Sequence, residues 1–245
     1  MKDFPINPNE REIIIAVDED FTYRLKYDPD MKFSIPLEEK CIFVCPVDNV
    51  DLPPILKPLI RPNNVYIRSP FDDMQYFHWK DAIYQIPRIK HEYFLTLCGL
   101  LGARSAKIEE AINEETNNRW TWKVDVALFI AKGEGSIEKE YIEKLMSLLS
   151  IEKKWNKRPP NIERAEAFLV EKKLIGDPIF FTLLEEVKWN PNIEKYKIRI
   201  DISREINERL SVLAKLDLPK FNIDINYIKN LIKYNNYILQ VEIEF

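Results

Sequence analysis

The sequence predicts an α+β fold in which helices cover a C-terminal antiparallel sheet. Apolar and polar residues alternate through much of the last 50 residues, 196–245, as they do in strands that bury one face. The preceding segment, residues 137–187, instead repeats its apolar residues at helical spacing. A chain of 245 residues with 46% apolar and 31% charged residues can bury a substantial core, and this composition is typical of globular proteins.

Residues 1–102 are predicted to form an N-terminal region of mixed strands and loops that ends in a buried helix. Glu12–Val17 and Phe21–Tyr27 predict a hairpin around an acidic turn, because the second segment alternates aromatic or apolar residues with polar ones. Cys41–Cys45 is apolar throughout, which predicts a strand buried on both faces. Val65 and its neighbours predict one further short strand.

A proline-rich loop and a buried helix complete this first region. Asp51–Pro62 holds four prolines in 12 residues, which excludes a regular helix or a central strand. Glu92–Leu101 carries apolar residues around most of its circumference, which predicts a buried helix. Gly102 stands at the position of its C-terminal cap.

Residues 103–245 are predicted to form a second region, or the remainder of a single domain. Ala106 and Ile108 begin a strand that returns as Trp120–Ala131 after a charged tip. Asn161 and Asp177 are predicted helix caps, because each stands just before an apolar helical repeat. The predicted central helices are Ile137–Leu149, Ile162–Lys173 and Ile179–Val187.

The C-terminal segment is predicted to form an antiparallel meander of four strands. Pro219 serves as a bend between two of them, and Asn235 and Asn236 mark the turn before the last. A sheet with one apolar face needs a covering layer, which the central helices supply. The four predicted strands are Tyr196–Ile202, Leu210–Leu218, Phe221–Ile225 and Tyr237–Phe245.

The sequence contains no familiar motif for nucleophilic catalysis or phosphate binding. It lacks a Gly-x-Ser-x-Gly elbow, a Walker loop and a dinucleotide fingerprint, and it has only five glycines. The histidines, His78 and His91, and the three cysteines do not show the paired spacing of a metal site. We therefore predict no metal and no cofactor, and structural roles for these five residues.

A nuclease hypothesis can be built from the acidic N-terminal half. Restriction-type nucleases use a Pro-Asp pair and a later acidic-x-Lys element to hold magnesium and activate water. Pro29-Asp30 and Glu38-Glu39-Lys40 follow this order at short spacing, so the candidate catalytic residues are Asp30, Glu38 and Lys40. The alternative is a solvated loop before a strand.

Two other segments are candidates for binding. Aromatic residues are dense between positions 71 and 84, where Tyr76, Phe77 and Trp79 form the candidate binding surface, with a place in the core as the alternative. A basic cluster around Trp155 fits either phosphate contacts to nucleic acid or the exposed end of a helix, where cations complement the dipole. Its cations are Lys153, Lys154, Lys157 and Arg158.

Charge, apolar patterning and cysteine content narrow the partners and the location. A net charge of −4 and a pI near 5.5 disfavour nucleic acid as a partner. No apolar run approaches the roughly 18 residues of a membrane-spanning helix, which disfavours an integral span. An odd number of cysteines and a polar N-terminal run predict a cytoplasmic location.

These observations predict a non-catalytic intracellular interaction or assembly protein. An uncovered sheet edge can recruit another chain by strand addition, so we predict a homo-oligomer built through the final strand. The alternatives are a metal-dependent nuclease and a membrane-active, pore-forming effector that uses the amphipathic C-terminal strands. The predicted self-association residues are Tyr237, Leu239, Val241, Ile243 and Phe245.

Overall fold

The computed structural model describes residues 4–27, 41–47, 52–113, 118–121, 137–216, 221 and 223–245. The fold is α+β, as predicted, and contains two sheets. The chain divides into two compact units, each built from two stretches of sequence. Unit 1 comprises residues 1–85 and 206–232, and unit 2 comprises residues 86–205 and 233–245.

Unit 1 contains a mixed sheet that begins with a parallel β-α-β crossover. A 3-10 helix (Pro8–Glu10) precedes strand β1 (Ile13–Val17), whose five residues are all buried. Helix α1 (Glu19–Tyr27) then leads to β2 (Ile42–Pro46), which pairs with β1 in parallel. Strands β3 (Asn64–Arg68) and β4 (Tyr76–His78) extend the sheet on the other side in antiparallel pairing, giving the order β2-β1-β3-β4.

The predicted hairpin at the start of unit 1 is wrong, because its second strand is helix α1. The Asp18 carboxylate accepts a hydrogen bond from the Phe21 backbone nitrogen at 2.6 Å and so caps the helix. Acidic residues in the first turn also favour a helix N-terminus. Phe21 is buried, whereas Tyr23 and Tyr27 are exposed, so the aromatic alternation did not indicate a half-buried strand.

Of two further predictions for unit 1, the one for β2 is wrong and the one for the proline-rich segment is confirmed. β2 buries Phe43 and Cys45 but only half-buries their neighbours, so the prediction of burial on both faces is wrong. The strand ends the sheet order among the described residues, which explains its one-sided burial. Residues 52–62 form hydrogen-bonded turns without a regular helix or strand, as predicted, and bury Leu56 and Ile60 against the sheet.

Helix α2 (Trp79–Leu100) is longer than predicted, because Pro87 lies inside it rather than ending it. A proline in a helix removes one backbone donor and crowds the preceding turn, and the apolar contacts of a buried helix offset this cost. The predicted cap is confirmed. Gly102 has φ of +87°, and the Ala103 nitrogen donates to the Cys98 carbonyl at 3.0 Å, as in a glycine-terminated helix end.

The sheet of unit 2 is antiparallel throughout, as predicted. Its order is β6 (Asn118–Thr121), β5 (Ser105–Asn113), β9 (Tyr237–Glu244) and β8 (Lys195–Asp201), and β7 (Glu152–Lys154) also pairs with β5. Four alternate residues of β9 are buried and the others are half-buried, which confirms the one-sided character of this strand. The buried residues are Tyr237, Leu239, Val241 and Ile243.

The other face of this sheet is covered by cross-strand ion pairs. Lys195 Nζ lies 2.9 Å from Glu244 Oε1, and Lys197 Nζ lies 2.9 Å from Glu109 Oε2. Lys197 also lies 3.4 Å from Glu242 Oε2. These contacts hold the pKa of Glu109 and Glu244 below the ordinary value and raise that of both lysines. Charged pairs of this kind suit a face in contact with water.

Three central helices lie in unit 2, as predicted. They are α3 (Ile137–Leu148), α4 (Ile162–Glu171) and α5 (Pro178–Trp189). The Asn161 side chain accepts from the Arg164 nitrogen, and Asp177 accepts from the Ile179 nitrogen, so both predicted caps are confirmed. Tyr141 of α3 stacks on Tyr237 of β9 at 6.0 Å between ring centroids, which places α3 against the apolar face of the sheet.

Two of the four predicted meander strands are wrong. The predicted strand Leu210–Leu218 begins inside helix α6 (Arg204–Leu213), and its last two residues lie outside the described ones, as does Pro219. The predicted strand Phe221–Ile225 ends at the first residue of helix α7 (Ile225–Tyr234), and its other described residues are not in a strand. Asp201 accepts hydrogen bonds from the Ser203 and Arg204 nitrogens, which ends β8 and starts α6, and Asp224 does the same at the start of α7. The buried residues of α6 recur at helical spacing: Ile206, Leu210 and Leu213. The alternation of Leu210 and Val212 therefore did not indicate a strand.

Candidate functional site

The candidate nuclease residues Asp30, Glu38 and Lys40 lie outside the residues that the structure describes. Within the described ranges, no three His, Cys, Asp or Glu side chains lie close enough together to hold a metal ion. The nuclease hypothesis stays a prediction.

The candidate aromatic surface lies in unit 1, at β4 and the start of α2. The Tyr76 hydroxyl accepts from Arg11 Nη1 and donates to the Arg11 carbonyl at 3.1 Å, and burial raises the pKa of Tyr76. Trp79 is 3% exposed and meets Tyr227 edge to face at 6.2 Å. Phe77 is half-buried. These contacts support the core alternative, and binding at these residues stays a prediction.

Neither histidine lies in an arrangement that favours acid-base chemistry. His91 is fully buried, its Nε2 lies 3.0 Å from the Ser150 carbonyl, and burial lowers its pKa, which favours the neutral ring. Burial also lowers the pKa of His78, whose ring packs near Tyr66. The Cys98 thiol is fully buried with a raised pKa, so it is not a thiolate nucleophile at neutral pH.

The predicted self-association strand is central rather than peripheral. Residues 237–244 pair with β5 on one side and with β8 on the other, so the main-chain groups of β9 already have partners within the sheet. The expectation that Tyr237, Leu239, Val241, Ile243 and Phe245 mark an open edge is therefore wrong. Strand order depends on pairing between distant segments, and local alternation does not reveal it. Self-association itself stays a prediction.

A buried charge cluster in unit 2 has no local sequence signal. Lys90 is fully buried, and its Nζ lies 2.9 Å from Asp177 Oδ2 and 2.7 Å from Glu205 Oε1. Arg204 Nη2 lies 3.0 Å from each of the same two oxygens. We call Lys90, Asp177, Arg204 and Glu205 the buried charge cluster. It joins α2 to the N-terminal ends of α5 and α6, because Asp177 caps α5 and Glu205 lies in the first turn of α6.

The basic cluster around Trp155 does not lie at a helix end, so its interpretation as the exposed end of a helix is wrong. Residues 153–158, which we call the basic strap, comprise the last part of β7 and an irregular segment. The strap is attached to the end of α2 by defined contacts. The Trp155 nitrogen donates to the Arg104 carbonyl at 2.9 Å, and Arg158 Nε donates to the Gly99 carbonyl at 3.0 Å.

The strap borders a surface cleft of about 750 Å³ within unit 2. Arg104, Lys157 and Arg158 line this cleft together with the acidic residue Glu194 and with Phe245, the last residue of the sequence. Arg104 Nε donates to the Phe245 carbonyl at 2.5 Å, which fixes the orientation of its guanidinium group. We call this feature the basic cleft. Its volume lies within the range of small-molecule sites, about 300–1,000 Å³.

Four exposed apolar side chains lie on the α4–α5 helical hairpin. Val170 is 63% exposed, Phe181 45% and Trp189 77%, and Ile175 in the connection is 44% exposed. We call these four residues the hairpin patch. Phe181, Glu185 and Trp189 follow each other at a spacing of four, which places them on one stripe of α5, and Trp189 Nε1 donates to Glu185 Oε2 at 2.8 Å.

An ion pair between α4 and α5 shows which residues of the two helices lie beside each other. Lys188 Nζ of α5 lies 3.1 Å from Glu166 Oε1 of α4, and 3.6 Å from Glu185 Oε1. Along α4, Val170 lies about 6 Å from Glu166, toward the connection between the two helices. Along α5, Phe181 lies about 10 Å from Lys188, also toward that connection. Val170 and Phe181 therefore lie at similar heights along the hairpin, and both are exposed.

No helix within the described residues is both long enough and apolar enough to cross a membrane. The chain matches no protein-family model, no curated protein and no solved structure.

Proposed function

We propose that this chain is a non-catalytic interaction protein that assembles with a second copy of itself through the hairpin patch. The observation that supports the proposal is the exposure of Phe181 and Trp189 on one stripe of α5. A Phe or Trp side chain carries about 150–250 Å², so at these exposures the pair presents on the order of 200–300 Å² to water. Aromatic residues of this kind are common anchors at the centre of interfaces.

The rim of the hairpin patch favours a second copy over a strongly charged partner. It carries acidic residues on both helices, such as Glu166, Glu171 and Glu185, and the basic residues Lys172 and Lys188. A partner whose surface is uniformly acidic or uniformly basic would be repelled by the residues of the same charge on this rim. Two copies related by a two-fold axis present the same patch to each other, so acidic residues of one can face basic residues of the other.

The self-association surface in this proposal differs from the one the sequence predicted. Strand addition at β9 is blocked by its two neighbours, and β8, which ends the described sheet order, carries Lys195, Lys197 and Arg199. Lysine and other charges on an edge strand disfavour pairing with another chain. Side-chain packing between helical hairpins needs no open strand. The proposal keeps a cytoplasmic location, which agrees with three cysteines that form no disulfide.

Sedimentation velocity across protein concentrations tests the assembly. We expect the wild-type chain to shift from monomer to dimer between about 1 and about 100 µM, the range of a modest interface. The double variant Phe181→Asp, Trp189→Asp should remain monomeric, because two charges would be desolvated at the interface centre. Tyr23→Asp is the matched control, since Tyr23 is a 65% exposed aromatic residue in unit 1.

A wild-type chain that is monomeric throughout this range would rule out the proposal. A dimer that persists in the double variant, or that Tyr23→Asp dissociates equally, would show that another surface holds the copies together. Far-UV circular dichroism and the thermal midpoint of each variant show that the fold is retained. Substitutions of exposed residues are expected to change stability by no more than about 0.5 kcal/mol.

A further inference from the structure

We propose that the basic cleft binds a small phosphate-bearing molecule of about nucleotide size. The inference is independent of the hairpin patch, because no residue of the patch lines the cleft. Three cations, Arg104, Lys157 and Arg158, line it together with the acidic residue Glu194 and with Phe245, the last residue of the sequence. The nearby carboxylate of Glu244 also interacts electrostatically with Arg104, but it forms its ion pair with Lys195 at 2.9 Å. The cleft therefore carries an excess of positive charge for a ligand to neutralise.

Two of the cations are held in place before any ligand arrives. Arg104 and Arg158 each donate Nε to a backbone carbonyl, those of Phe245 and Gly99. The hydrogen bonds described for both residues use Nε, and the two terminal nitrogens of a guanidinium group have the fork geometry that matches phosphate oxygens. Fixing a side chain in advance lowers the entropy that binding must remove. Two oriented guanidinium groups in one cleft therefore favour a phosphate over a dispersed negative surface.

The backbone around the strap is built to allow this arrangement. A Cβ atom on Gly99 would lie 2.8 Å from Trp155 Nε1, and one on Gly102 would lie 2.8 Å from the Arg158 carbonyl. Two of the five glycines thus stand where the strap crosses the end of α2. Their lack of a side chain lets the strap approach closely and carry Lys157 and Arg158 to the cleft.

The remaining lining favours a ligand with an apolar or planar body attached to its phosphate. Leu101, Val187 and Ile193 are apolar, and Pro159, Pro160 and Pro191 add rigid apolar surface. Guanidinium groups also stack on planar rings. Nucleic acid is the less favoured source of phosphate, because Lys153 and Lys154 lie on β7 outside the cleft lining and Lys154 is paired with Glu152 at 3.1 Å.

Isothermal titration calorimetry with inorganic pyrophosphate, a nucleoside triphosphate and the corresponding nucleoside tests the inference. We expect the triphosphate to bind more tightly than pyrophosphate and the nucleoside not to bind. Lys157→Glu should weaken triphosphate binding by about tenfold or more, the factor for losing one charge-assisted hydrogen bond. Lys154→Glu is the matched control, because it makes the same charge change on the strap outside the cleft, and it should change the Kd by less than about threefold.

Arg104→Gln provides a second variant, which avoids the contact between Arg158 and helix α2. It should weaken binding in the same way while leaving the thermal midpoint of the unliganded chain nearly unchanged. The inference is overturned if neither pyrophosphate nor the triphosphate binds below about 1 mM. It is also overturned if Lys154→Glu weakens binding as much as Lys157→Glu, or if a single-stranded oligonucleotide binds and the triphosphate does not.

Discussion

Replacing Lys90 by methionine removes the cation at the centre of the buried charge cluster while keeping a long apolar side chain. Lys90 Nζ lies 2.7 Å from Glu205 and 2.9 Å from Asp177. At an effective dielectric constant of about 20, each attraction is on the order of 6 kcal/mol before desolvation. Desolvation offsets much of that gain in the intact cluster, but the variant leaves two buried carboxylates without this cation.

We expect Lys90→Met to lower the free energy of unfolding by about 3–5 kcal/mol. For a chain of this length that corresponds to a fall in Tm of about 10 °C. Urea denaturation at pH 7, followed by circular dichroism, measures the change in midpoint and in slope. Lys188→Met is the matched control, because Lys188 is 40% exposed and its ion pairs with Glu166 and Glu185 lie at the surface.

The control should cost less than about 1 kcal/mol, as surface pairs usually do. If Lys90→Met lowered the free energy of unfolding no more than the control does, the attraction between Lys90 and its carboxylates would not hold α2 to the N-terminal ends of α5 and α6. A triple variant that also makes Asp177 and Glu205 uncharged amides should recover part of the loss, because Arg204 alone would then no longer have to compensate two buried carboxylates.

Two further predictions concern Gly102 and His91. Gly102→Ala should lower the free energy of unfolding by about 1–3 kcal/mol in urea denaturation, because the residue has φ of +87° and the new Cβ would lie 2.8 Å from the strap backbone. Gly176→Ala is the control and should be close to neutral, because its Cβ would have no atom within 4 Å. Equal effects of the two substitutions would contradict this reasoning. Burial lowers the pKa of His91, so its contribution to stability is fully present above the unfolded pKa of about 6.5 and declines as pH falls below it. His91→Gln should flatten the dependence of the urea midpoint on pH between about 7.5 and 5, and an unchanged slope would assign that dependence to other groups.

Features of the fold that depend on hydrogen bonds between residues close in sequence could be predicted from the sequence. Asn161 and Asp177 each satisfy a backbone nitrogen near their own helix start, so their capping roles could be predicted from nearby residues. The same chemistry at Asp201 and Asp224 marks the starts of α6 and α7, but the alternation of apolar residues after Asp201 and around Asp224 suggested strands. In a short segment, helical and strand spacing share positions, and caps decide between them.

Features that join distant segments could not be predicted in this way. Lys90 and Glu205 are 115 residues apart, and each looks like an ordinary charged residue in its own helix. The basic strap was identified from its composition, but its closeness to Arg104 depends on the pairing of β7 with β5. The place of β9 within the sheet likewise depends on partners far away in the sequence.

The position of β9 between β5 and β8 also governs the order in which unit 2 can fold. Ser105 and Glu244 pair across these strands although they are 139 residues apart. Closing a loop of that length costs entropy before any pairing compensates for it, and sheets dominated by such contacts fold slowly. The β8–β9 pair involves a shorter loop, so we expect it to form first and to dock onto β5 as a unit. Until that docking occurs, the apolar face of β9 lacks the core it later joins, which makes this step the one most exposed to aggregation.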